Sequence, residues 1–135
     1  MHEKKNLDCC FLVCGNSKKT YQELSKTYSA IEPPTWALLL AESSRSVGFS
    51  VNIIDANAEN LTEENIFNRI KKSAPKLICF VAYGQNVNAG TVNMTGVTHI
   101  ANYLKNKKIN IPMSIIGSHV QALPIETLKK EKMID

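Results

Sequence analysis

LICFVAY, residues 77–83, carries no charged side chain over its whole length. A strand that shows one face to water alternates polar and apolar residues, whereas a strand covered on both faces of a parallel sheet is apolar nearly throughout. LDCCFLVCG (7–15) reads the same way once past Asp8. FSVNIIDA (49–56) alternates more, which suits a strand nearer an edge, and IPMSIIG (111–117) supplies a fourth. Working outward, helical patterns separate these strands. Residues 34–47 place Trp36, Leu39, Leu40 and Val47 on one broad face, with Pro34 in the first turn and Gly48 as the stop.

The second helix opens on Thr62 as N-cap, with Glu63 and Glu64 in its first turn and Leu61 stapled to Ile66. Ile66, Phe67 and Ile70 face the sheet, and Pro75 ends the element. Val97, Ile100, Ala101 and Leu104 follow the i, i+3, i+4, i+7 rule of a third helix. A short fourth follows Pro124, with Ile125 and Leu128 inward. Strands alternating with helices predict an α/β fold: three layers, an open and mostly parallel twisted sheet of four to five strands, helices on both faces. Residues 7–135 form one domain behind a disordered or extended tail, 1–6. Met133-Ile134-Asp135 resembles the opening of a fifth strand, so the domain is expected to be truncated there.

The totals exclude several classes. The chain has 135 residues, 44% hydrophobic and 21% charged, which suits one globular domain. No apolar run approaches the roughly 20 residues of a membrane helix, and MHEKKNLD (1–8) is too polar for a signal peptide. The net charge of +4 comes mainly from lysines at predicted helix ends, where they complement the helix dipole. No basic face with interleaved aromatics marks a nucleic-acid site. Cys9, Cys10, Cys14 and Cys79 lie in apolar runs with no Cys-x-x-Cys pair, which predicts free thiols in a reducing, cytoplasmic setting.

In open α/β sheets the ligand sits beyond the carboxyl ends of the strands, where the strand order reverses. Two of the four segments leaving those ends read as long and polar: NSKKTYQELSKTYSAIEPP (16–34) and GQNVNAGTVNMTG (84–96). Such loops suit a large ligand clasped from several sides. The familiar small-ligand signatures are missing. The three-glycine dinucleotide fingerprint is absent, no Gly-Lys-Ser/Thr occurs, and Ala82-Tyr83 stand where a phosphate-accepting receiver needs an acid. Asp55 could bind a ribose or simply cap its loop. Of three histidines, His2 lies in the tail, His99 on a polar helix face, and His119 at the mouth of strand four. No catalytic residue is assigned.

Three stretches carry a family likeness: PPTWALLLAESSRSVGFSVNIIDA (33–56), FVAYGQN (80–86) and IIGSHVQALPIETL (115–128). In this order and spacing they resemble the amino-terminal cobalamin-binding domain of cobalamin-dependent radical S-adenosylmethionine enzymes. The resemblance implies a corrin over the strand carboxyl ends, lined by Tyr28, Pro33, Pro34, Tyr83, Gly84, Gln85, Asn86, Gly117, Ser118 and His119. Pro33 and Pro34 would stiffen the wall beside the ring. Gly117 would let backbone approach the ligand, so a tryptophan there is expected to block the ligand face while leaving the fold intact. The resemblance also implies a downstream radical S-adenosylmethionine domain that holds a 4Fe-4S cluster and S-adenosylmethionine, in a methyltransferase or cyclase. No Asp-x-His motif is present to supply a lower cobalt ligand, and the family's Gly-Gly pair reads Gly117-Ser118. Two other readings stay open: a degenerate domain of this fold serving as scaffold, and a nucleotide- or flavin-binding flavodoxin-like protein.

Overall fold

The computed structural model describes residues 7–15, 32–84 and 87–135. Tyr28, Gln85 and Asn86 lie outside the described residues. Four parallel strands, β1 (Cys9–Val13), β2 (Val51–Asp55), β3 (Leu77–Val81) and β4 (Met113–Ile116), form one sheet in the order β2-β1-β3-β4. Between them run α1 (Thr35–Ser46), α2 (Glu63–Ser73) and α3 (Val87–Asn106). Two short helices, α4 (Ser118–Ala122) and α5 (Pro124–Lys130), follow β4. The predicted three-layer architecture is the observed one, with each strand shorter than its apolar run.

The layering follows from handedness. The β1-to-β2 crossover runs one way along the sheet, and the next two run the other way. Right-handed connections therefore put α1 on one face and α2 with α3 on the opposite face. Side-chain alternation agrees. Cys10, Leu12, Ile78 and Phe80 join Ile66, Ile70, Val97 and Leu104 on the α2–α3 side. Phe11, Cys79 and Val81 pack with Ala37 and Ala41 on the α1 side.

The helix termini are chemically specified. Thr62 accepts a hydrogen bond from the Asn65 backbone N–H at 3.2 Å, and Asn65 Oδ1 accepts from the Thr62 N–H, closing a capping box. Beyond α1, Gly48 takes a positive φ of 96°, and its neighbour Phe49 donates its N–H to the Ser44 carbonyl.

Three expectations are corrected. The inward face of α1 is Ala37 and Ala41, while Trp36 is 49% exposed and Leu39 58%. Small residues let the helix lie close to the sheet and turn its bulky residues outward. The segment 84–96 is mostly helix, since α3 begins at Val87. The two glycines within α3 are packing positions: a Cβ on Gly96 would lie 3.2 Å from the Gly15 carbonyl oxygen, and one on Gly90 would meet Ser118 Oγ. In α5, Ile125 and Leu128 point outward. The buried positions are Thr127, whose hydroxyl donates to the Leu123 carbonyl at 2.7 Å, and Glu131 just beyond, which accepts from Thr98 Oγ1 at 2.9 Å.

At the amino ends of the strands, Asp8 ties three segments together. Its carboxylate accepts from the Ser50 backbone N–H at 2.9 Å, from Ser50 Oγ at 2.8 Å and from Lys76 Nζ at 2.7 Å. The Lys76 ammonium, then the Ser50 donors, hold the Asp8 carboxyl far below the usual carboxylate range. A depressed folded-state pKa stabilises the fold above the unfolded value of about 4 and loses that contribution as pH falls below it. Acid titration of stability should therefore show a steeper fall below about pH 4 in the wild type than in Asp8→Asn. Identical acid limbs in urea midpoints across that range would contradict this role.

Candidate functional site

The strand order reverses between β1 and β3, so α1 and α3 depart from the carboxyl ends of these neighbours toward opposite faces. That divergence opens the crevice in which doubly wound sheets hold ligands. One wall is built from α1. Pro33 is exposed and Pro34 half-buried just before the helix, and Thr35 N–H and Leu38 N–H donate to their carbonyls at 2.8 and 3.0 Å. Trp36 lies in the first turn, which places it at this end of the sheet. Tyr83 continues the alternation of Cys79 and Val81 and so falls on the same side. The two rings stack with centroids 4.5 Å apart and planes 23° from parallel. Asn93 Nδ2, from α3, donates to the Tyr83 carbonyl at 3.0 Å and fixes the strand end beneath the stack.

The other wall is the turn after β4. Gly117 is buried, and a Cβ added to it would lie 2.5 Å from the Ala82 carbonyl oxygen and 2.9 Å from the Ala82 carbonyl carbon. The space beside Gly117 is thus filled by the Ala82 backbone just past β3, not left open for a ligand. The expectation that a tryptophan at 117 would spare the fold is corrected by this contact. Gly84 is similar, its absent Cβ facing Ala89 at 2.3 Å. Ser118 Oγ is buried and has no hydrogen-bond partner among the described residues. His119 Nδ1 lies 3.2 Å from Thr91 Oγ1 on α3.

The predicted residues therefore separate. Pro33, Pro34 and Tyr83 gather on the α1 side with Trp36, while Ser118 and His119 pack toward α3. Hydrophobic periodicity groups Trp36 with Leu39, Leu40 and Val47 on one helix face. The place of Trp36 in the first turn after Pro33-Pro34 was the signal that it belongs at the carboxyl end. His119 also lines a cleft of about 730 Å³ between α3 and α5, together with Thr91, Thr98, Thr127 and Glu131.

Charge chemistry is sparse here. Asp55 caps its own loop, Oδ1 accepting from the Asn57 and Ala58 backbone N–H groups at 3.2 and 3.0 Å. All four cysteines are free, and burial pushes the Cys10 thiol up to about 12, so it is no ready nucleophile. Among the described residues no group of three His, Cys, Asp or Glu side chains could hold a metal ion, and no helix is long and apolar enough to cross a membrane. Among the described residues the site offers aromatic and apolar surface with few charged groups.

Neither the curated proteins nor the solved structures compared with the chain gave a match. A family model described as the B12 binding domain matches residues 22–135. That match covers most of the chain, and the all-parallel α/β sheet is consistent with such a domain; the chain belongs to the B12 binding domain family.

Proposed function

We propose that this cobalamin-binding domain is the amino-terminal module of a radical S-adenosylmethionine enzyme, a methyltransferase or cyclase, and that it holds the corrin over the carboxyl ends of β1 and β3. One observation carries the placement: an apolar proline–aromatic corner and the orphaned Ser118 hydroxyl flank the same strand ends. The residues fit such a ligand. Pro33 and Pro34 offer rigid apolar surface to a macrocycle rim, and the Trp36–Tyr83 stack adds a flat aromatic surface beside it. Among the described residues Ser118 Oγ has no hydrogen-bond partner, which leaves it capacity for a polar group of the ligand.

Cobalamin, when bound, supplies the cobalt–carbon chemistry, and the domain supplies binding, orientation and exclusion of water. His119 is tethered to Thr91 on the α3 side, which supports a cobalt without a protein histidine below it. Tyr28, Gln85 and Asn86 complete the proposed lining, with the 4Fe-4S cluster and S-adenosylmethionine assigned to a downstream domain. The four free thiols support a reducing, cytoplasmic setting as part of this reading.

Titration with hydroxocobalamin and methylcobalamin, followed by visible absorbance and calorimetry, tests the site. Saturable binding with a base-off spectrum is expected, whereas a histidine-ligated spectrum would overturn the assignment of the lower face. Paramagnetic resonance of the reduced full-length parent tests the other half, since absence of an iron–sulfur signal would remove the radical assignment. A second reading, a scaffold that binds no cobalamin, is favoured by the filled spaces at Gly84 and Gly117. It requires a folded full-length protein that binds neither cobalamin.

A further inference from the structure

We infer that Trp36, stacked on Tyr83, is the platform for the benzimidazole base of cobalamin's nucleotide tail, an inference that rests on the cobalamin reading. The packing of α1 does not call for an aromatic at this position. The helix meets the sheet through Ala37 and Ala41, and Trp36 remains half exposed. It is the single tryptophan of the chain, and it stands at the carboxyl end of the sheet, where the proposed function places the ligand. Its ring is held by the Tyr83 stack, and Tyr83 by the Asn93 bond to its carbonyl. A ring fixed in advance loses little conformational freedom when a ligand arrives.

The chemistry of the ligand selects the part that Trp36 takes. Offset stacking needs two flat aromatic faces. Cobalamin has one such group, the benzimidazole, because the corrin's faces are occupied by cobalt ligands and its rim by methyl and amide side chains. Apolar surface continues along the helix from Trp36 to the exposed Leu39 and half-buried Leu40, long enough to flank the base and its ribose. A base held here is a base removed from cobalt, in keeping with a site that lacks a histidine ligand.

The test compares cobalamin with cobinamide, which keeps the corrin and lacks the nucleotide. Affinities are read from visible absorbance in every variant and, where Trp36 is retained, also from quenching of its emission. Trp36→Ala should lower cobalamin affinity roughly tenfold, the size of one stacking contact, and leave cobinamide affinity unchanged. Trp36→Phe should recover most of the loss, and Tyr83→Leu should reproduce it. Circular dichroism melts confirm that each variant is folded. Equal losses for both ligands would overturn the inference, because Trp36 would then serve the corrin or the fold. So would unchanged cobalamin affinity in Trp36→Ala, or wild-type protein that binds cobinamide as tightly as cobalamin. Wild-type protein that binds neither ligand would instead sink the cobalamin reading itself, and this inference with it.

Discussion

Gly117→Ala should lower stability by about 2–3 kcal/mol, the upper part of the range for overpacking a closed site. Gly117→Val should be worse still. The cause is space, not backbone conformation. The φ of Gly117 is 166°, an extended value open to any residue. A Cβ at this position meets the Ala82 carbonyl oxygen at 2.5 Å and its carbon at 2.9 Å. Those atoms belong to the end of a central strand, and Ala82 itself is fully buried. Its N–H donates to the Ile116 carbonyl at 2.8 Å, so the two strand ends cannot separate without breaking the ladder at the site's floor. Gly90 provides the internal control. Its absent Cβ faces Ser118 Oγ at 2.2 Å, nominally a worse clash, but a serine hydroxyl can rotate away. Gly90→Ala should therefore cost no more than about 1 kcal/mol, well below the strain of a backbone collision. Urea midpoints followed by circular dichroism measure both. An unchanged midpoint for Gly117→Ala would show slack in the turn and return Gly117 to the list of ligand-facing positions.

The contrast explains which parts of this protein could be read from its residues. Continuous apolar runs marked β1 and β3 because burial on both faces leaves no position for a polar side chain. Thr62 and the acids after it marked the start of α2 because an exposed helix end must satisfy its own N–H groups. The orientation of α1 was not legible. Hydrophobic periodicity weights large residues, whereas the contact is made by Ala37 and Ala41, the smallest apolar side chains available. The same bias hid Trp36 as a site residue. In α5 the buried positions are Thr127 and Glu131, whose burial depends on hydrogen bonds to Leu123 and Thr98. Polarity alone assigns such residues to solvent. The early start of α3 was masked by glycine and asparagine, which suggest a loop until Gly96 is seen against the Cys14 and Gly15 carbonyls just past β1 and Asn93 against the Tyr83 carbonyl.

Phe80→Ala should destabilise the domain by about 3–5 kcal/mol, the usual cost of emptying a buried aromatic site. Phe80 is fully buried at the centre of β3, paired in register with Leu12 on one side and Ile115 on the other. Its side faces α2 and α3, where rigid neighbours from both helices cannot collapse into the void. A domain of ordinary stability holds about 5–15 kcal/mol, so the variant stands near the edge of folding. Trp36→Ala removes a larger ring and should cost far less, because that ring is half in water already. Ligand binding separates the two roles further. A cobalamin that binds only the folded state at one hundred times its Kd adds about 2.7 kcal/mol. Saturating cobalamin should thus restore most of the lost stability in Phe80→Ala, whose site is intact, and less in Trp36→Ala, whose affinity is reduced. Thermal melts with and without ligand give this result directly. Equal ligand-induced shifts in the two variants would mean that the stacked pair at the strand ends does not touch the cofactor.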